Sequence, residues 1–202
     1  MPNSPKIFIF ILSYLLITHS PLAQNLALAK SLNDSAVALM MKFEKDEKVI
    51  ELLDKAIAAD SNFARAYENK VGILLKENRY SEALVLCSKL VTINPQNSSY
   101  FVLSGALFEK ITDTSLAQKM YTIADEILVR TIDNSKITSL TKARENLDRY
   151  CILMLLKNPQ KARELASSLQ ENWKGTELSQ IILEITSQNR EEILNGILLI
   201  KN

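Results

Sequence analysis

An apolar pattern returns along this chain every 34 residues, and that interval restricts the folds open to it more than any other feature. Val49, Ala83 and Ala117 lie 34 apart, as do Leu53, Cys87 and Tyr121, and again Ala56, Leu90 and Ala124. Within each copy the apolar residues sit three and four apart, the spacing that lines one face of an α-helix. Val49, Ile50, Leu52, Leu53, Ala56 and Ile57 form one stripe, and Ala83, Leu86, Cys87, Leu90 and Val91 a second. Ala117, Met120, Tyr121, Ala124 and Ile127 form a third. A helix pair whose apolar face is rebuilt at a fixed interval cannot bury that face alone, so neighbouring pairs are expected to stack on it. Helix breakers are scarce: the 202 residues hold 4 Gly and 5 Pro, and three of the prolines (Pro2, Pro5, Pro21) fall at the start. The fold class expected is all-α.

The residues that fill out the period resemble the tetratricopeptide repeat, whose pattern is W-x2-L-G-x2-Y, then A-x3-F, then a helix-ending Pro. In residues 64–97 Tyr67 stands for the Trp, Tyr80 lies at the turn, Ala83 is the small residue, Cys87 replaces the Phe and Pro95 ends the helix. Lys70 and Val71 hold the Leu-Gly places, with Gly72 one position late. Residues 98–131 supply Phe101, Gly105, Phe108, Ala117, Tyr121 and Ala124, and residues 30–63 keep Met40, Val49, Leu53, Ala56 and Asp60-Ser61-Asn62. Beyond these three copies, residues 132–142 read as an insertion and Ala143 to about Gly175 as a degenerate fourth pair. Its second helix is expected to start with Asn158 as cap and Pro159 at the first helical position. Thr176–Ser187 and Arg190–Lys201 read as two short amphipathic helices. The resemblance implies a right-handed helical solenoid of antiparallel helix pairs, here with a divergent C-terminal helical cap.

It also implies a protein or extended peptide as partner, lying along the first helix of each pair. By register that face carries Asp34, Ala38 and Met41 from the first copy, and Arg65, Glu68, Gly72, Leu75 and Lys76 from the second. Ser99, Val102, Ala106 and Glu109 come from the third. Ala38, Gly72 and Ala106 fall in phase, and Cys151 joins them if the fourth pair is aligned on Ala162. Small residues in phase suit either a shallow floor for a peptide or simple close approach of helices. The Lys and Asn set by which some tetratricopeptide domains clamp a C-terminal carboxylate is not recognisable.

Residues 1–23 carry the three-part pattern of a secretory signal. Lys6 is the positive start, Ile7 to Thr18 an apolar run, and His19-Ser20-Pro21-Leu22-Ala23 a polar, small-residue exit. The run falls short of the roughly 20 apolar residues of a membrane span. Cleavage is expected after Ala23, leaving Gln24 first, no stable membrane span, and a location in the bacterial periplasm or cell envelope. No Cys follows the run for a lipid anchor.

Cleavage would remove His19, the single histidine, and with it every imidazole base or metal ligand. It would also take one of the 24 basic residues and none of the 23 acidic ones, so the charges balance. No basic field is left to hold nucleic acid. Gly72, Gly105, Gly175 and Gly196 are isolated, so no phosphate-binding loop is present. Cys87 and Cys151 fall in apolar helical stretches and are expected to be unbridged core thiols. Trp173 reads as a packing residue at a helix end. No catalytic, cofactor or metal residues are assigned. The function expected is an exported interaction scaffold of the envelope with no catalysis of its own. The rival is a small-ligand or glycan receptor component, which would want clustered exposed aromatics beside polar groups.

Overall fold

The computed structural model describes residues 25–42, 46–111, 113–132 and 140–199. The expected signal segment and most of the expected insertion at 132–142 lie outside the described residues. All regular structure among the described residues is helical. In chain order the helices are α1 (Leu26–Met41), α2 (Asp46–Ala59), α3 (Ala64–Lys76), α4 (Tyr80–Ile93) and α5 (Ser98–Lys110). They continue as α6 (Thr114–Thr131), α7 (Leu140–Leu155), α8 (Pro159–Asn172), α9 (Ser179–Ser187) and α10 (Arg190–Ile197).

Helix boundaries keep the 34-residue interval of the apolar stripes. α2 and α4 have the same length and start 34 residues apart, and α6 starts 34 after α4. α3 and α5 are likewise equal in length and displaced by 34. Every one of the nine in-phase residues, from Val49, Leu53 and Ala56 to Ala117, Tyr121 and Ala124, is no more than 1% exposed. The period is therefore a packing period, as the stripes require.

The chain forms two compact units that part between Ala66 and Tyr67, inside α3. In the first, α1 packs against α2, burying Ala29 and Ala36 on one helix and Val49, Leu53 and Ala56 on the other. The pair runs antiparallel, since the Asn25 amide before α1 donates to the Ala59 carbonyl at the end of α2 at 3.0 Å. The Asn25 side chain caps α1 by accepting from the Leu28 amide.

In the second unit α5 packs against α4 and α6, and α7 against α6 and α8. Gly105 on α5 marks the closest approach to α6: a Cβ built there would stand 2.5 Å from the Tyr121 ring. The core runs on from Phe101 and Tyr121 through Tyr150, Ile152 and Leu155 to Ile193. The turn after each of α3 and α7 uses one left-handed residue, Asn78 (φ 58°) and Lys157 (φ 56°). The next amide reaches back to the helix in both cases, Arg79 to Leu74 at 2.8 Å and Asn158 to Leu153 at 2.9 Å. This is the left-handed helix stop that satisfies otherwise orphaned carbonyls.

Asn158 caps α8 and Pro159 occupies its first turn, as the sequence indicates. α9 starts at Ser179 rather than Thr176, because Thr176 and Ser179 turn their hydroxyls onto the Trp173 and Thr176 carbonyls. Those side-chain bonds hold a turn and compete with the helical ladder. α10 opens on a capping box, in which Asn189 accepts from the Glu191 and Glu192 amides and Glu192 accepts from the Asn189 amide. It closes at Ile197, and Leu199 just beyond is left-handed. α9 packs on α7 and α8, whereas α10 turns back onto α7 and α5. No helix among the described residues is long and apolar enough to cross a membrane.

Candidate docking groove on the first-helix face

α5 and α7 are the first helices of their pairs, and both present residues to a groove of about 450 Å³ that α9 and α10 help to wall. Ser99 and Val102 come from α5, Asp148 and Cys151 from α7, Ile185 from α9 and Ile197 from α10. Helical spacing explains the pairing on α7, where Asp148 and Cys151 are three residues apart and so share a face. Tyr150 on the same helix donates its hydroxyl to the Thr186 carbonyl at 2.8 Å and fastens the end of α9 to α7.

The groove is aliphatic, with Asp148 as the charged residue of its lining. Burial lifts the Asp148 carboxyl above the usual carboxylate range, Arg144 pulls against that shift, and Glu145 adds to it. Burial, with Asp148 beside it, pushes the Cys151 thiol up to about 12. Burial alone does the same to Cys87. Both cysteines are free, Cys87 buried and Cys151 half-buried. Thiols so shifted stay protonated at neutral pH and are poor nucleophiles. The arrangement suits an apolar side chain that carries a hydrogen-bond donor or a cation toward Asp148. Among the described residues no three His, Cys, Asp or Glu side chains are grouped to hold a metal ion.

The residues expected on this face are differently disposed. In the first unit Asp34, Ala38 and Met41 are exposed on α1, and Arg65 is exposed at the start of α3. In the second, Glu68 and Lys76 are exposed, Gly72 is half-buried with open space where a Cβ would stand, and Leu75 is buried. Ser99 is exposed and Val102 half-buried, and these two lie together in the groove. Ala106 has no exposed surface, so it supports the face from beneath. Glu68 accepts a hydrogen bond from the Tyr100 hydroxyl. Glu109 is held by Arg190, whose Nη2 donates to both carboxylate oxygens at 2.7 and 2.8 Å, and by the Tyr121 hydroxyl at 3.1 Å. Arg190 also reaches the Leu155 carbonyl, tying α10 to the ends of α5 and α7.

Asp148 and Arg190 are absent from the sequence-derived set. Asp148 had a signal, since it shares a helix face with the in-phase Cys151. Arg190 had none: its partner Glu109 is 81 residues away.

No protein-family model matches the chain. No curated protein matches it either. Among solved structures, one described as "MamA RS-1 ArsTM double mutant" is similar, with 17% sequence identity, 71% of this chain and 74% of that chain covered, and a TM-score of 0.49.

Proposed function

We propose that the chain is a tetratricopeptide-type interaction scaffold, exported to the bacterial periplasm or cell envelope, that docks a protein partner on the first helices of its pairs and performs no catalysis itself. The groove between α5 and α7 carries this reading, because there exposed Ser99 and half-buried Val102 meet an aliphatic wall with one carboxylate. A groove of this kind takes an extended peptide through apolar anchors and a few hydrogen bonds. By sequence register, Glu68, Gly72 and Lys76 are the proposed further contacts of the second unit, and Asp34, Ala38, Met41 and Arg65 are those proposed for the first. The apolar run before Ala23 supports export.

The test is co-purification from the native envelope with the wild-type chain and with Val102→Glu. A carboxylate at Val102 would bring a second negative charge into the groove beside Asp148. A partner recovered with wild type and lost with a folded Val102→Glu chain is the expected result. Equal recovery with both would remove the groove from the account.

A further inference from the structure

Another cavity of the second unit lies elsewhere. About 900 Å³ in volume, it opens between the first half of α6, the α7–α8 turn and the start of α10. Of the residues expected on the first-helix face only Glu109 reaches it. Its charged lining is Lys119, Lys157, Arg190 and Glu109, and the last two neutralise each other through the bidentate contact. That leaves two lysine ammoniums, and among the described residues neither makes an ion pair. Thr114 and Ser115 line it from the start of α6, where the Asp113 carboxylate already caps the helix by accepting from the Leu116 amide at 2.9 Å. Met120 and Ile123 add apolar surface to the same lining.

Lys157 lies in the helix-ending turn after α7. It is left-handed at φ 56°, where a side chain with a Cβ is unfavourable and Gly or Asn is the usual occupant. The corresponding turn after α3 obeys that preference with Asn78. Leu199 after α10 is left-handed in the same way at φ 56°, so the conformation belongs to the helix stop, and what Lys157 adds to the cavity is its ammonium.

We propose that this cavity is a second docking site, taking an acidic peptide segment whose carboxylates meet Lys119 and Lys157 and whose apolar side chain rests on Met120 and Ile123. The volume exceeds the needs of a single small anion, and the apolar surface of Met120 and Ile123 has no use for one. The proposal rests on the reading of the chain as a scaffold and names the chemistry of one partner.

Calorimetric titration of the purified chain tests it, with an octapeptide alternating glutamate and leucine, the same peptide with glutamine for glutamate, and inorganic phosphate. The acidic peptide should bind, more weakly as salt rises, and the glutamine peptide should not. Lys119→Ala and Lys157→Gly should each weaken binding about threefold, the scale of an exposed ion pair. Lys157→Gly should at the same time raise Tm by about 2 °C, because it relieves the left-handed turn. A more stable protein that binds less well cannot be explained by damage to the fold. Equal binding of the glutamine peptide, or no effect of either lysine variant, would overturn the site. Phosphate binding as tightly with the same lysine dependence would assign the cavity to a free anion and overturn the peptide. Val102→Glu should leave this binding unchanged, and its loss there would show that the two sites are one. Should groove capture fail while lysine-dependent binding holds, the groove reading falls and this site stands.

Discussion

Gly105 and Gly72 respond to opposite pressures although both lie inside helices. Alanine normally gains about 1 kcal/mol over glycine in a helix interior. At Gly72 nothing stands within 4 Å of the added methyl, so Gly72→Ala should stabilise by about 0.5–1 kcal/mol. At Gly105 the methyl would stand 2.5 Å from a Tyr121 ring that has no exposed surface and so no room to retreat. Gly105→Ala should destabilise by about 1–2 kcal/mol net, the overpacking cost outweighing the helical gain. Urea denaturation of the two variants measures both signs. The thiols set a second expectation. Cys87 and Cys151 are both pushed up to about 12 by burial, and so is the Tyr100 hydroxyl. Above the ordinary thiol value of about 8.5 the unfolded chain releases protons that the folded chain keeps. Stability from this source is whole below that pH and is lost as pH rises toward 12. Urea midpoints should fall between pH 8 and pH 10.5, and less steeply once both cysteines are replaced by alanine. An equal fall in that variant would rule the thiols out as the cause.

At the scale of helices, the register claims that Ala117 faces a neighbour and that Ser115, two residues earlier, does not. Ala117 has no exposed surface and Ser115 is exposed. Ala117→Leu should cost about 1–3 kcal/mol by overpacking and Ser115→Leu about 0.5 kcal/mol or less. A larger loss from Ser115→Leu, read by chemical denaturation, would undo the register. The seating of α10 gives a complementary test. Arg190→Ala strips a half-buried Glu109 of its bidentate partner, which should cost about 1–2 kcal/mol and speed amide exchange in α10 before the rest of the unit. Unchanged exchange there would mean that the apolar packing of Ile193, Leu194 and Ile197 holds the helix without the ion pair. The contrast between these elements shows what a sequence can disclose. α2, α4 and α6 were legible because Val49, Ala83 and Ala117 repeat both the helical spacing and the 34-residue interval. The fold-back of α10 was not, since Arg190 and Ile193 meet partners far away in sequence, the Glu109 carboxylate 81 residues off among them, and no period relates them. The start of α9 was misjudged by three residues because Thr176 and Ser179 spend their hydroxyls on a turn, a choice that periodicity does not reveal.

For the molecule as a whole, the proposed docking face was legible only in part. Register placed Ser99, Val102 and Cys151 on first helices, and the groove contains all three. It could not separate Ala106, which is fully buried, from its neighbours on the same face, because depth depends on how the next helix lies. Nor could it find the cavity lined by Lys119 and Lys157, which three distant segments build together. Export enters at this scale too. Mass analysis of the chain recovered from the envelope should begin at Gln24, and recovery of Met1 on a folded protein in the cytosol would remove the localisation. The central claim is that partners dock on the first helices. A photo-crosslinking residue placed at Ser99 on α5, and in a separate chain at the exposed Val85 on the second helix α4, tests it directly in the native envelope. A discrete protein adduct is expected from Ser99, abolished by Val102→Glu, and none from Val85. An adduct from Val85 with none from Ser99 would contradict it.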